Sequence, residues 1–287
     1  MTYDQLLRHF TTSLTPLYGD TEARAIAETA VRSLTGWSRT DMLLNGDRTV
    51  SEPSASRFDG ILARLMRHEP LQYILGETYW HGLTLRVTPD VLIPRPETSE
   101  LVDIIADAER GRSDLRVIDL CTGSGCIAVA LALTLPFPEV TAVDISDAAL
   151  AVAAANASLC RARVRCVRAD VLGPLPFPDR SADIIVSNPP YVAESEKKDM
   201  SPNVLDFEPA LALFVPDADP LRYYTAIARS ARSVLVPGGR LYFEINPLFA
   251  DPLEAMLRAE GYVSVSVIND IHRRKRFVKC SLPDDQA

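Results

Sequence analysis

The segment S-N-P-P-Y at residues 187–191 puts a side-chain amide, two consecutive prolines and an aromatic ring side by side. Two prolines remove two backbone donors and fix two φ angles, so the loop is rigid and offers bare carbonyl acceptors. Such a loop suits a planar NH₂ group. An amide nitrogen is a poor nucleophile because its lone pair is delocalised into the carbonyl, the resonance that also flattens the peptide bond. The Asn188 side-chain oxygen and the Pro189 carbonyl can take its two hydrogens, leaving the lone pair aimed at an electrophilic methyl. Tyr191 is expected to stack on the flat amide, with Pro190 as a rigid wall. The rate would then come from orientation, with no strong base needed before attack. A proline-rich surface turn is the plain alternative. The position of the segment just after an apolar strand argues against it, because open parallel sheets bind ligands at the carboxyl ends of their strands.

Upstream, residues 119–126 read D-L-C-T-G-S-G-C, directly after one strand and at the start of a helix. Gly123 and Gly125 permit a tight turn and close approach of a ligand to the backbone around Cys121, Thr122 and Ser124. The spacing does not complete G-x-G-x-x-G, so a pyrophosphate is not the expected ligand. Asp119 is expected to face a cationic, amine-bearing ligand end, and Asp144, closing the next strand, to accept from ribose hydroxyls. Asp170 and Val171 end a third strand, where an adenine would lie. Taken singly, each acid is equally well a solvated loop carboxylate.

The elements that must hold these residues follow from periodicity. Short apolar runs at residues 117–120, 140–145, 164–169, 184–187 and 241–245 read as strands buried on both faces. Helical patterns at 148–159 and 221–235 separate them, giving a βαβα order, an α/β class and a mostly parallel sheet. Pro237, Gly238 and Gly239 read as the turn into the fifth strand, and 262–268 and 276–282 as two more strands, one antiparallel. The first 75 residues read as a small helical bundle. A helix from Asp20 carries Ala23, Ile26, Ala27, Ala30, Val31 and Leu34 and stops at Gly36, and a second carries Phe58, Ile61, Leu62, Leu65 and Met66 before Pro70. Alternation at Tyr79, His81, Leu83, Leu85 and Val87 suggests a hairpin between two domains.

Together these segments resemble the release factor glutamine methyltransferase family, PrmC or HemK, over nearly the whole chain. The resemblance rests on P-L-Q-Y-I-L-G at 70–76, L-I-P-R-P-E-T at 92–98, the glycine loop, N-P-P-Y, and F-E-P-A-L-A-L at 207–213. It implies an N-terminal helical substrate-recognition domain (1–75), a β-hairpin linker (76–95) and a class I, Rossmann-like methyltransferase domain (96–287). It further implies S-adenosyl-L-methionine as cofactor, contacted by the backbone of residues 121–125 and by Asp144, Val171 and Asn188. The implied substrate is the glutamine of a glycine-glycine-glutamine motif in peptide chain release factors, held by Asn188, Pro189, Pro190 and Tyr191. The chain departs from the family at Cys121, where many members carry glycine, at Ser99, where an acid is common, and at Val171, which is larger in some members.

Three rivals share parts of this pattern. A sister family methylating a glutamine of a large-subunit ribosomal protein shares the glycine loop and N-P-P-Y, and P-R-P-E-T at 94–98 favours release factors over it. An adenine exocyclic-amine methyltransferase must pull its base from a stack and usually brings a basic, aromatic recognition domain, which the first 75 residues do not resemble. A binding module without catalysis would not need intact Asp119, Asp144, Asn188 and Tyr191.

Composition narrows the classes further. Of 287 residues, 47% are hydrophobic and 24% charged, as in ordinary globular enzymes. No run approaches a membrane span, and residues 1–10 lack a signal-peptide block, so a cytoplasmic protein with no membrane partner is expected. The five cysteines match no zinc spacing, so neither a metal nor a disulfide is expected. A net charge of −8 disfavours a stable nucleic-acid partner. The basic run at 273–276 reads as a solvated hairpin edge, and the long stretch 192–219 as a structureless wall of the substrate channel.

Overall fold

The computed structural model describes residues 1–285, so the last two residues of the expected catalytic span, 286–287, lie outside the description. The chain divides into two compact units. The first comprises Met1–Gly76 with Ser201–Phe207, and the second Glu77–Met200 with Glu208–Ala287.

The first unit is helical. Helix α1 (Tyr3–Thr35) starts at a capping box between Thr2 and Gln5 and ends at Gly36, whose left-handed conformation lets its N–H reach the Arg32 carbonyl. It is broken at Gly19 (φ 75°, ψ 164°), so the helix expected from Asp20 is the second half of a longer one that begins at Tyr3. Helices α2 (Arg39–Asn45), α3 (Glu52–Leu65) and α4 (Leu71–Leu75) complete the bundle, with Ser38 and Ser51 capping α2 and α3. Leu6, Phe10 and Leu14, spaced four apart, share one face of α1 and are fully buried, as are Ala23, Ala27 and Ala30 of its second half. Phe58 of α3 meets Phe10 edge to face at 5.9 Å.

The second unit opens with the hairpin β1 (Glu77–Trp80) and β2 (Leu83–Arg86), joined by His81 and Gly82, both at positive φ. Trp80 pairs with Leu83 and Thr78 with Leu85, so facing residues have opposite parity. The expected alternation therefore fails at its first member: a two-residue turn inverts parity, Trp80 is buried and Tyr79 is exposed.

Helix α5 (Pro96–Ala108) leads into a seven-stranded sheet. Its members in chain order are β3 (Arg116–Leu120), β4 (Glu139–Asp144), β5 (Val164–Arg168), β6 (Ala182–Ser187), β9 (Leu235–Glu244), β10 (Val263–Asn269) and β11 (Lys275–Ser281). Helices α6 (Cys126–Thr134), α7 (Asp147–Leu159), α9 (Arg222–Val234) and α10 (Ala250–Ala259) connect them. Between β6 and β9 lie the short parallel pair β7 (Val192–Ala193) and β8 (Phe214–Val215) and the one-turn helix α8 (Pro202–Leu205). The stretch 192–219, expected to be structureless, is thus a chain of short ordered elements.

Sheet order is β10-β11-β9-β6-β3-β4-β5, parallel except for β11, which runs antiparallel to both neighbours. The α/β expectation holds. Chain order reverses between β3 and β6, the topological switch point at which such sheets open a crevice. Val117, Ile184, Val186, Tyr242 and Phe277 face α5 and α6, whereas Ile118, Ile185, Leu241 and Phe243 face α9 and α10, so both faces are covered. Two expectations need correction. Strand β5 is an edge strand whose residues are exposed or half-buried. Pro237, Gly238 and Gly239 form no turn before a strand; they make an irregularity inside β9, which already pairs with β6 at Leu235 and resumes at Arg240.

Among the described residues no helix is long and apolar enough to cross a membrane, and no group of three or more His, Cys, Asp or Glu is placed to hold a metal ion.

Candidate functional site

Above the switch point lies a cavity of about 450 Å³, within the range of small-molecule sites. Its floor is the loop after β3. Thr122 N–H donates to the Val143 carbonyl at 2.9 Å, and Gly123 N–H to the Asp144 carboxylate at 2.9 Å, which pins the loop to the end of β4. The other Asp144 oxygen accepts from Ser146 N–H at 3.0 Å, so this carboxylate orders two loops while still facing the cavity. Gly125 begins α6 so close to α7 that a Cβ would stand 2.9 Å from that of Ala153. Asn156 of α7, wholly buried, accepts from Arg86 N–H at 2.6 Å and donates to the Arg86 carbonyl at 3.0 Å and the Ser124 carbonyl at 2.8 Å. One side chain thereby ties the hairpin to the glycine loop.

Of the residues expected to hold a cofactor, Cys121, Thr122, Gly123, Ser124, Asp144, Asp170, Val171 and Asn188 line the cavity. Asp119 and Gly125 do not. Asp119 is fully buried behind the loop, where one oxygen accepts from the Thr122 hydroxyl at 2.5 Å and Ala128 N–H at 3.1 Å. That oxygen props the loop, the other is buried without a hydrogen-bond partner among the described residues, and the side chain, expected to face a ligand amine, is not part of the cavity lining. Burial pushes its carboxyl up to about 7, against the pull of those two donors. Cys121 adopts φ 58°, a left-handed conformation that strains a residue with a Cβ. Burial raises both cavity thiols, Cys126 to about 12, so neither is a thiolate nucleophile at neutral pH.

The S-N-P-P-Y loop leaves the end of β6, with the Ser187 hydroxyl donating to the Leu120 carbonyl at 2.6 Å. Asn188 and Pro190 line the cavity, whereas Pro189 is buried and Tyr191 half-buried outside its lining. The Tyr191 hydroxyl donates to Glu244 at 3.2 Å, and its carbonyl accepts from the Asn246 side chain at 3.2 Å. Its hydroxyl is thus tied to Glu244, and the ring expected to stack on the flat amide is not part of the cavity lining. Burial and the Glu244 carboxylate push its phenol up, so it stays neutral.

Glu244, at the end of β9 and 1% exposed, also accepts from the Thr98 hydroxyl at 2.7 Å, while the Asn188 side-chain N–H donates to that hydroxyl at 3.4 Å. Burial raises the Glu244 carboxyl; Thr98, Tyr191 and Arg276 pull it back down. Arg276 is half-buried, unlike exposed Arg273, Arg274 and Lys275, so only part of the basic run is a solvated edge. Across the cavity, Glu208 joins the segment before α5 to the loop before β8: its carboxylate accepts from Ile93 N–H at 3.2 Å and pairs with Arg95 at 2.6 Å. Pro209, Leu211 and Ala212 wall the cavity beside it.

Thr98, Asn156, Glu208, Glu244 and Asn246 are not among the expected site residues, although Thr98 and Glu208 belong to the motifs at 92–98 and 207–213. The visible signals were polar residues in apolar surroundings: L-Y-F-E-I-N closing a buried strand, one asparagine in the alanine-rich helix α7, and a threonine in the first turn of a helix opened by proline.

Comparison with known proteins agrees with this layout. Residues 5–76 match the PrmC N-terminal domain and residues 98–206 the methyltransferase small domain. A release factor glutamine methyltransferase of Bacteroides thetaiotaomicron is 42% identical over 93% of this chain and 95% of its own length. The chain belongs to the release factor glutamine methyltransferase family. Members from Flavobacterium psychrophilum and Bordetella pertussis are 37% and 41% identical over 94% and 88% of the chain, and 95% and 89% of their own lengths. A methyltransferase structure from Pyrococcus furiosus shares the fold at TM-score 0.51 and 17% identity, covering 71% of this chain and 90% of that one.

Proposed function

We propose that this family member transfers the methyl group of S-adenosylmethionine to the side-chain amide nitrogen of a glutamine in peptide chain release factors. The observation that carries this reading is one cavity containing a glycine-loop floor, the Asp144 carboxylate and the Asn188 side chain, at the switch point of a parallel sheet.

The cavity fits the cofactor. Asp144 offers acceptors for ribose hydroxyls, and Ile145, Val171 and Leu172 give an apolar surface beside it for an adenine. At Gly123, which lines the cavity, a Cβ would meet no protein atom within 4 Å, so the backbone is open to a ligand there. When bound, the cofactor supplies an electrophilic methyl on a sulfonium. The chain's part is orientation. Asn188 Oδ1, in the cavity lining, accepts one hydrogen of the glutamine amide, and the Pro189 carbonyl, which the family resemblance implies as the second acceptor, would take the other, fixing the amide plane with the nitrogen lone pair pointing out of it. Burial keeps Tyr191 protonated, so its phenol is not the group that takes the proton the methylated nitrogen releases. Roles in recognising the substrate fall to the helical unit and to the loop before β8. Among possible acceptors, release factors are favoured by the curated relatives, which carry that substrate in their names.

The test is incubation with methyl-labelled S-adenosylmethionine together with release factor, ribosomal protein and ribosomal RNA, followed by separation. Label is expected in the release factor, on its glutamine side chain. Preferential labelling of either other component overturns the assignment.

A further inference from the structure

A planar carboxamide has two faces to choose between: turned one way it offers its oxygen, turned the other its NH₂. If Asn188 is to accept from a substrate amide, its orientation cannot be left free. The chain of contacts behind it decides which end points where. Thr98, 2% exposed, stands between Asn188 and Glu244, and Glu244 is 1% exposed. Glu244 accepts both the Thr98 hydroxyl at 2.7 Å, on one carboxyl oxygen, and the Tyr191 hydroxyl at 3.2 Å, on the other. A hydroxyl carries one hydrogen. Once that of Thr98 is committed to Glu244, the oxygen of Thr98 has only lone pairs left for Asn188, and the Asn188 NH₂ is the group that turns toward it, at 3.4 Å. The other end of the amide, Oδ1, is thereby presented away from Thr98.

We infer that Glu244 and Thr98 are positioning residues which, through one hydrogen bond each, set the Asn188 carboxamide with its oxygen toward the substrate. This rests on the reading of Asn188 as acceptor for the glutamine amide. Glu244 stands outside the cavity lining, and Thr98, which lines it beside Asn188, acts through its hydroxyl. The turned-over orientation would set NH₂ against NH₂, two donors with no acceptor between them, so the polarity of the chain controls turnover. Thr98 sits in the first turn of α5 and Glu244 at the end of β9, so two elements far apart in sequence fix one side chain.

The experiment compares Thr98→Val, Thr98→Ser, Glu244→Leu and Asn188→Ala with the parent in single-turnover methyl transfer, with the KM of the release factor, thermal melting and calorimetric titration of S-adenosylhomocysteine. Valine keeps the shape of threonine and loses the hydroxyl; serine keeps the hydroxyl. Thr98→Val is expected to lose about 100-fold in turnover, the scale of removing one preorganised polar group, with KM and S-adenosylhomocysteine affinity within about threefold of the parent. Thr98→Ser is expected to recover to within about fivefold. Glu244→Leu, which removes the acceptor for the Thr98 hydroxyl and frees it to donate to Asn188, is expected to fall with Thr98→Val, and it decides the matter if that variant does not fold. Near-parental turnover in folded Thr98→Val or Glu244→Leu, beside an inactive Asn188→Ala, overturns the positioning role alone. Equal loss in the valine and serine variants, tracking a lowered melting temperature, also overturns it, because packing would then explain both. An active Asn188→Ala overturns the reading beneath it.

Discussion

Asn188 concentrates the proposed chemistry in one side chain, so its removal separates orientation from folding. Asn188→Ala is expected to melt near the parent, since the residue is half-buried, and to lose ~10²- to 10³-fold in single-turnover transfer. Asn188→Asp is expected to fail too, because an added charge would have to be desolvated beside the Glu244 carboxylate. Near-parental turnover in a folded Asn188→Ala protein sinks the orientation mechanism. Asp144 acts on the other ligand. Charge-assisted bonds to ribose hydroxyls are worth ~1.5 to 3 kcal/mol, so Asp144→Ala should weaken S-adenosylhomocysteine roughly tenfold to a hundredfold by calorimetry. An unchanged dissociation constant would mean that the nucleoside lies elsewhere.

Asp119 makes a prediction of a different kind. Burial pushes its carboxyl up to about 7, so the folded state holds a proton that the unfolded chain releases nearer 4. Below both values the group costs nothing. Between them the unfolded chain binds fewer protons than the folded one, stability falls as pH rises, and above 7 the loss is constant. Asp119→Asn cannot titrate. The stability of the parent relative to this variant should therefore decline by on the order of 4 kcal/mol between pH 4 and pH 7.5 in urea unfolding. A pH-independent difference between the two proteins contradicts the burial account.

At the scale of elements, the site is assembled by single polar side chains that bolt one loop to another. Asn156 is the clearest, with three hydrogen bonds that join the end of β2 to the glycine loop across a helix of alanines. Asn156→Leu keeps the branching and heavy-atom count and leaves the buried Ser124 carbonyl without its side-chain donor, at a cost of ~1 to 3 kcal/mol, and the part-buried Arg86 N–H without its side-chain acceptor. A lower urea midpoint with unchanged slope is expected, together with weaker S-adenosylhomocysteine binding, because the Ser124 backbone loses its anchor. Weakened stability with parental affinity would show that the loop holds its shape without this bolt. Glu208 does the same for the opposite wall, linking the segment before α5 to the loop before β8 through Ile93 and Arg95.

For the whole molecule, the second unit already contains the cavity, yet the chain carries a separate helical unit with its own core. More protein than one side chain requires implies remote contacts, and binding energy gained away from the reacting nitrogen can offset the entropy of fixing a flexible glutamine loop. A folded release factor is therefore expected to be methylated far better than a peptide spanning its glutamine, with losses in kcat as well as in kcat/KM. Glycines beside that glutamine, as the family resemblance implies, would let the chain enter a proline-walled site in conformations closed to other residues. Equal efficiency on peptide and protein would remove the helical unit from recognition.

The sequence by itself determined the βαβ order, the parallel sheet, the glycine loop and the N-P-P-Y loop, because each is written in neighbouring residues. Apolar runs of strand length, a helix-period stripe and a pair of prolines are local patterns, and local backbone physics reads them one segment at a time. It also pointed to Asp144 and Asn188, since both close strands whose carboxyl ends must converge in such a sheet. Tertiary structure alone decided the rest. Whether Asp119 faces the cavity or props the loop depends on burial at an end where several strands meet, and its local sequence is compatible with either. Whether Tyr191 enters the site or is tied back depends on Glu244, 53 residues away, and the Thr98 contact to Glu244 spans 146 residues. Such pairs are set by which strand ends lie side by side once β9 has docked on β6, and no periodicity within either segment records that choice.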